Sequence, residues 1–279
     1  PYSQNIVAVN DVNTTTSGTE IQTLTAGTVY KSSHNEYYSD RWLNMKVTKN
    51  GEYLFVNNPI YWTSISSQQY VKIYKKQSSG NLYGNGTGGS SPLQTIYCPD
   101  STGNRDWSKE ILIDETGNLL MVSALGNDMH NKQLWYVYYR PSSSSTWAAI
   151  NITNTNSNTY YFTQIGGANG GGDYLSANGQ LLVLAHGGQN PNNTGRFVLY
   201  KVTLTGSGNS TTISFTHKAT VNGSNNAALG SACSIANDGT LLIQATYPTS
   251  NWSSVAPEVY IYKYDVDADS FNSSPVWTF

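Results

Sequence analysis

The chain has 279 residues and a formal net charge of −2. Only 11% of it is charged, against roughly 25% in an average soluble protein, and Asn, Ser, Thr, Gly and 21 Tyr take up the difference. So weak a field excludes electrostatic capture of nucleic acid or an acidic membrane, no apolar run reaches the ~18 residues of a membrane-inserted helix, and two cysteines exclude a disulfide-framework fold.

An uncharged polar surface of this kind suits a protein outside the cell. The chain opens on Pro1 with no initiator Met and no secretory leader, so an upstream segment is expected to have been removed. Both ends are expected to be ordered and tied down.

Residues 1–39 carry three strand-like segments, Asn5–Val9, Glu20–Leu24 and Thr28–Ser32. From residue 40 a fuller pattern recurs. A first strand (A) is expected at Leu43–Thr48. Lys49-Asn-Gly-Glu-Tyr-Leu-Phe-Val56 then reads as a tight hairpin followed by an apolar strand (B) ending at Asn57. An alternating aromatic strand (C) includes Val71–Tyr74, and a last strand (D) covers Leu93–Cys98. The second copy has strand A at Glu110–Asp114, a turn at Gly117, strand B ending at Ser123, strand C through Trp135–Tyr138 and strand D at Thr146–Ile152. The third has a weak strand A at Tyr174–Ala177, Gly179, strand B to Ala185, strand C through Phe197–Tyr200 and strand D at Thr212–Lys218. In the fourth, strand A is Ala232–Ala236, the turn is at Gly239, and strand B ends at Ala245. Strand C there runs through Val259–Tyr262 and strand D through Pro275–Phe279.

Gly51, Gly117, Gly179 and Gly239 are 66, 62 and 60 residues apart, and Tyr74, Tyr138, Tyr200 and Tyr262, which close strand C, are 64, 62 and 62 apart. Two markers keeping one period define a repeat architecture. Four-stranded units of this size bury both faces only by stacking on one another, which predicts an all-β, single-domain β-propeller over 1–279. Its blades are expected at 40–100, 101–160, 161–222 and 223–279, with 1–39 an incomplete blade lacking strand A. Four complete blades and three strands of a fifth make a five-bladed ring.

The repeats resemble the FG-GAP repeats of integrin-alpha-type propellers. In both, a short strand, an Asp-Gly or Asn-Gly pair, an apolar strand ending in a small residue and an aromatic strand recur; Asn237-Asp-Gly-Thr-Leu-Leu-Ile243 and Val259-Tyr-Ile-Tyr262 carry the likeness. The resemblance implies the propeller fold. It implies neither calcium binding nor integrin-like adhesion, because the Phe-Gly pair and the Asp-x-Asp-x-Asp-Gly loop after strand B are absent.

The sequence offers few chemical constellations. Asp265, Asp267 and Asp269 alternate as in a calcium loop, but the required Gly and distal Glu are missing, so no metal site is expected. Asp40 and Asp106 each precede a repeat glycine by 11 residues, which would place two carboxylates at one mouth of a propeller for glycoside hydrolysis; the equivalent residues of the next repeats are Ala168 and Ala228. His34, His130, His186 and His217 have no metal-ligand spacing. Gly170–Gly172 reads as a connector, since no helix follows to make it a phosphate loop. For Cys98 and Cys233, one internal disulfide or two buried thiols both fit.

Trp42, Trp62, Tyr83 and Trp252 fall at strand starts or in polar loops rather than on strand C, and are the candidate ligand-binding residues for a sugar or a protein. Sequons place candidate N-glycans at Asn13, Asn85, Asn151, Asn192, Asn209, Asn222, Asn251 and Asn272, of which Asn85, Asn192 and Asn222 lie in the most open loops. The leading expectation is a non-enzymatic extracellular structural glycoprotein, without cofactor, that assembles with copies of itself on a surface, virion or filament. A glycan-binding adhesive propeller is the alternative, and a glycosidase the third reading. The missing strand A would leave Ile6–Val9 as an open edge, which a neighbouring subunit is expected to complete by strand addition.

Overall fold

A computed structural model describes residues 5–11, 19–25, 45–58, 69–79, 82–99, 110–125, 133–141, 146–153, 159–162, 173–186, 195–223, 229–245 and 258–279. Among these the chain is all-β, with one 3-10 turn at Gly208–Ser210 and no α-helix. No described helix is long and apolar enough to cross a membrane. Two compact units are present, Pro1–Ile111 with Val122–Asn127, and Leu112–Met121 with Asp128–Phe279.

The first unit opens with the antiparallel hairpin β1 (Asn5–Asp11) and β2 (Thr19–Thr25). They match the expected strands B and C of the incomplete repeat; the expected strand D at Thr28–Ser32 lies outside the described residues. Among the described residues β1 has β2 on one side and no strand on the other. The first complete sheet follows, with β3 (Met45–Val47), β4 (Tyr53–Asn58) and β5 (Tyr70–Lys76) in order, and both β6 (Tyr83–Gly84) and β7 (Gln94–Tyr97) on β5.

The second sheet has β8 (Ile111–Ile113), β9 (Leu119–Leu125) and β10 (Gln133–Tyr139) in order, with β11 (Ala148–Ala149) and β12 (Thr159–Phe162) on β10. The third is β13 (Tyr174–Leu175), β14 (Leu181–His186), β15 (Arg196–Thr205) and β16 (Thr212–Asn222). The fourth is β17 (Leu229–Ile235), β18 (Thr240–Ala245) and β19 (Glu258–Asp265), with β20 (Ser270–Phe271) and β21 (Trp277–Thr278) on β19.

Strands A, B and C stand where the repeat predicts them. Strand D also falls in its expected segments, at β7, β11, β16 and β21, but in three sheets it is short and a second short strand shares its place, β6 with β7, β11 with β12, and β20 with β21. The Gly, Ser, Asn and Pro residues of these segments disfavour a continuous strand. Where they are sparse, as in Thr212–Asn222, strand D runs 11 residues unbroken. Cys98 and Cys233 are not joined in a disulfide.

Within the second unit the sheets stack face to face in chain order. Leu119, Met121, Trp135 and Val137 of the second sheet bury against Leu182, Leu184, Val198 and Tyr200 of the third. The alternate residues of the third, Leu181, Val183, Phe197 and Leu199, bury against Leu241, Ile243, Tyr262 and Tyr264 of the fourth. The third sheet is thus covered on both faces, which is why its strand B reads as a continuous apolar run. This is the packing of propeller blades.

The repeat glycines all take positive φ: 70° at Gly51, 70° at Gly117, 71° at Gly179 and 83° at Gly239. The two residues before each have negative φ, so the turn is not the two-residue hairpin expected from Asn-Gly or Asp-Gly. It is a type I turn closed by a left-handed glycine, with the glycine N–H donating to the carbonyl three residues back: Thr48 (2.8 Å), Asp114 (3.0 Å), Ser176 (2.8 Å) and Ala236 (3.1 Å).

The fourth turn is one residue shorter. Thr48 and Ser176 donate their N–H to the second residue after the glycine (Tyr53 and Leu181), whereas Ala236 donates to the first, Thr240. Accordingly Tyr200 stands opposite Leu182, the third residue after Gly179, but Tyr262 stands opposite Leu241, the second after Gly239. A one-residue slip exchanges the two faces of a strand. Leu241, Ile243 and Ala245 therefore face the preceding sheet, while Leu181, Val183 and Ala185 face the following one.

Gly239 is the least replaceable of these glycines. A Cβ there would stand 2.0 Å from the Tyr264 carbonyl oxygen. Gly208 has φ 55° and open space around it. Gly208→Ala is expected to lose about 1–2 kcal/mol for the left-handed backbone alone. Gly239→Ala should lose clearly more, roughly 3 kcal/mol or beyond, because backbone must move. Urea midpoints of the two variants measure the difference.

Candidate functional site

The turns are the most organised polar feature of the described residues. In each, the residue before the glycine takes the N–H of the residue after it: Asn50 Oδ1 from Glu52 (2.9 Å), Thr116 Oγ1 from Asn118 (3.2 Å), Asn178 Oδ1 from Gln180 (3.1 Å) and Asp238 Oδ1 from Thr240 (2.9 Å). In the three longer turns a second side chain, three residues before the glycine, caps the start of strand B. Thr48 Oγ1 accepts from Tyr53 N–H (3.0 Å), Asp114 Oδ1 from Leu119 N–H (2.8 Å) and Ser176 Oγ from Leu181 N–H (2.9 Å). The extra residue leaves that N–H outside the ladder, and a buried donor needs a partner. The shorter fourth turn has no such orphan, and there the position is Ala236.

Within the second unit neighbouring turns are joined. Glu115 N–H donates to the Ala177 carbonyl (2.6 Å) and Asn178 N–H to Asn237 Oδ1 (2.8 Å). Turns of three successive repeats therefore lie side by side, as the repeat requires. The Asp114 carboxyl is raised above its ordinary pKa by burial, although Thr116 and the Leu119 N–H pull the other way.

A second cluster is ionic. Asp269, the one described non-glycine residue with positive φ (52°), takes Lys218 Nζ at 2.6 Å and Lys201 Nζ at 3.5 Å. The Tyr264 hydroxyl donates to Oδ1, the oxygen that also faces Lys201, while Lys218 takes Oδ2. The Lys218 hydrogen bond, ahead of that from Tyr264, holds the Asp269 carboxyl down to about 2. Burial, then Asp269, push the Tyr264 hydroxyl up. Asp238 is likewise held at about 2, chiefly by Lys263 at 2.9 Å. Such carboxylates are weak proton acceptors and serve as struts rather than general bases.

The calcium-like triplet is dispersed among these roles. Asp265 Oδ1 accepts from the N–H groups of Asp267 (3.0 Å) and Ala268 (2.8 Å), which closes the β19–β20 turn. Among the described residues no group of three His, Cys, Asp or Glu is placed to hold a metal ion.

Of the four candidate aromatics, Trp42, Trp62 and Trp252 lie outside the described residues. Tyr83 is not an exposed loop residue: it is 8% exposed and its hydroxyl donates to the Gly51 carbonyl at 2.8 Å. Trp147 does the same in the next repeat, its indole N–H donating to the Gly117 carbonyl at 2.7 Å. A polar aromatic 32 residues after one repeat glycine and 30 after the next was a visible signal for this role.

Asp40, Asp106, His34, His130 and Gly170–Gly172 also lie outside the described residues. His186 ends β14, and His217 is exposed, its Nε2 2.9 Å from Thr220 Oγ1. Five sequon asparagines are described. Asn151, Asn209, Asn222 and Asn272 are exposed, and Asn85 is half-buried. Asn13, Asn192 and Asn251 lie outside. One buried carboxylate had no signal in the sequence: Asp173 Oδ1 accepts from Ala185 N–H (2.9 Å) and ties strand B to the start of strand A.

No protein-family model and no curated protein matches the chain. Among solved structures, it is similar to a 6-phosphogluconolactonase candidate from Bacteroides uniformis, with 11% identity and a TM-score of 0.47 over 84% of this chain and 56% of that one. It is also similar to a hypothetical selenium-binding protein from Sulfolobus tokodaii, with 6% identity and a TM-score of 0.46 over 85% and 54%. The chain spans a little over half the length of each.

Two outcomes follow from these geometries. Ser176→Ala strands the Leu181 N–H in the core and should cost about 1–3 kcal/mol by chemical unfolding, whereas Ala236→Ser, with no orphan donor to satisfy, should gain nothing. The pH dependence is also fixed in sign. Asp269 and Asp238 have folded values of about 2, below the ordinary 3.8. Their contribution is complete above about pH 4 and is lost as pH falls toward 2. The thermal midpoint should drop across that window, and less steeply in Asp269→Asn.

Proposed function

We propose that the chain is a non-enzymatic structural module of the propeller type, built for use outside the cell, glycosylated, and assembling with copies of itself on a surface, virion or filament. In this reading the four complete sheets and the β1–β2 hairpin are blades of a five-bladed ring. The likeness to FG-GAP repeats concerns blade design, without calcium.

The observation that carries the reading is where the polar chemistry goes. Asp114, Asp238 and Asp269 are each taken by turn N–H groups or by lysine ammonium. Four sequon asparagines, in contrast, stand in the open. Asn272 already accepts the Ser274 N–H (3.0 Å) in a tight turn, with its amide group at the surface. The adhesive alternative depends on loop aromatics, and the burial of Tyr83 removes one of them. Strand addition to the side of β1 that carries no strand among the described residues is one route to self-assembly.

The test is the mass of the native material. It should exceed the 30.5 kDa of the polypeptide by sugar-sized steps that peptide mapping places at Asn151, Asn209, Asn222 or Asn272. A native mass equal to the bare chain would sink the glycoprotein reading. Hydrolysis of chromogenic glycosides that disappears in Asp106→Asn would replace the structural reading with an enzymatic one.

A further inference from the structure

We propose that Asn85 is a spontaneous modification site: among the described Asn-Gly pairs it is the one at which the folded chain loses its side-chain amide and becomes aspartate or isoaspartate. The proposal stands apart from the assembly and glycosylation readings above.

The chemistry is open to any Asn-Gly pair. The glycine amide nitrogen attacks the asparagine Cγ and gives up its proton to solvent. Nδ2 takes up a proton as the Cγ–Nδ2 bond breaks, and ammonia leaves behind a cyclic imide. Water then opens the imide at either carbonyl. One opening gives aspartate; the other routes the main chain through the side chain and gives isoaspartate. Nothing is oxidised or reduced. Glycine favours the attack because no Cβ crowds its nitrogen and its backbone turns freely.

The chain has five Asn-Gly pairs. Those at Asn50, Asn85, Asn178 and Asn222 are described, and Asn169-Gly170 lies outside the described residues. In three of the four the attacking nitrogen is tied down. The Gly51 N–H donates to the Thr48 carbonyl (2.8 Å), that of Gly179 to Ser176 (2.8 Å) and that of Gly223 to Gly195 (3.0 Å). The first two of these bonds close a repeat turn, so the nitrogen cannot swing toward Cγ without opening it. Among the described residues the Gly86 N–H has no such acceptor. The isolated bridge of Asn85 to Lys75 supplies it no hydrogen bond of ordinary geometry. Gln77 braces this loop at other points: its Oε1 accepts the Gly88 N–H, and its Nε2 donates to the Gly89 carbonyl at 3.1 Å.

The electrophile does not separate the pairs. Asn85 Oδ1 accepts from the Thr87 N–H (2.9 Å) and the Thr87 hydroxyl (2.8 Å). These donors draw charge from Cγ and can hold the oxyanion that forms on attack. Asn50 Oδ1 has an equivalent pair in the Glu52 N–H (2.9 Å) and the Thr48 hydroxyl (2.8 Å). Asn178 Oδ1 has the Gln180 N–H (3.1 Å) and the Ser176 hydroxyl (2.8 Å). Nor does access to water favour Asn85, which is half-buried where Asn50 and Asn178 are exposed. What sets Asn85 apart is the nitrogen.

The product has two consequences. Asn85-Gly86-Thr87 is also a sequon, and a glycan would occupy the Nδ2 that must leave, so the two modifications exclude each other. Isoaspartate also lengthens the main chain by one carbon in a loop with little room: a Cβ on the neighbouring Gly84 would stand 1.8 Å from the Gly89 carbonyl oxygen.

The experiment uses the full wild-type chain, produced without glycans and incubated at mildly alkaline pH, both folded and in urea. Peptide mapping by mass spectrometry follows amide loss at each pair. In the folded chain Asn85 should convert about tenfold faster than Asn50, Asn178 or Asn222, the factor expected where attack must first break one hydrogen bond. In urea the four should convert at similar rates. If Asn50, Asn178 or Asn222 keeps pace with Asn85 in the folded chain, the proposal is overturned. A lead for Asn85 that survives undiminished in urea also overturns it, because local sequence rather than the fold would then set the rate.

Discussion

The placement of strand B in the four complete sheets depends on one backbone geometry, a type I turn that ends in a left-handed glycine. The glycine reverses the chain and fixes where the A–B ladder resumes. Because side chains alternate along a strand, the point of resumption decides which residues meet the preceding repeat and which the following one. The aromatic strand C, the short strand A and the stacking of sheets are then positioned from the core outward. A Cβ at Gly239 would stand 2.0 Å from the Tyr264 carbonyl oxygen, so the turn is also packed against its own strand C.

The same turns account for much of the polar side-chain chemistry. A chain with so few charges has little electrostatic energy to distribute, and here it goes into capping. Thr48, Asp114 and Ser176 differ in chemistry but supply one oxygen to one N–H. The ionic cluster at Asp269 works likewise, joining β15 and β16 of one sheet to the β19–β20 turn of the next through Lys201 and Lys218. Ion pairs this exposed contribute modestly; their value is to fix how two sheets sit on each other. The apolar stack supplies most of the stabilisation, as it does in other repeat proteins.

Much of the fold was legible in the sequence because two periods, the glycine and the closing tyrosine, mark the same unit. Strands A, B and C follow from them. Strand D was less legible: its division into pairs such as β11 and β12 along β10 follows no periodic signal. The turn type was misread because Asn-Gly and Asp-Gly favour two-residue hairpins only when the ladder closes directly around them. The oxygen-bearing residue three before the glycine was in plain view and identifies the longer loop. Tyr83 was misplaced because a tyrosine between Leu and Gly in a polar stretch looks exposed; it is buried in the cluster of Leu54, Val56 and Tyr74, with its hydroxyl on the Gly51 carbonyl 32 residues away. Asp173 carried no signal, since its partner Ala185 contributes only backbone.

The short fourth turn shows how sequence and register agree. Strand B there reads Thr240-Leu-Leu-Ile-Gln-Ala245. Had its turn kept the length of the others, Leu242 and Gln244 would face the third sheet, and the Gln244 amide would enter a core of Leu181, Val183 and Phe197. A buried amide without partners costs roughly 1–3 kcal/mol in proteins. Dropping one residue turns Gln244 outward and sends Leu241, Ile243 and Ala245 into that core. The slip has a consequence on the other side, because Leu242 must then face out. It does so next to Ile261 and Trp277, on the face that also carries Gln244 opposite Val259. The length of one turn thus decides which residues of the strand enter the core and which face away from it.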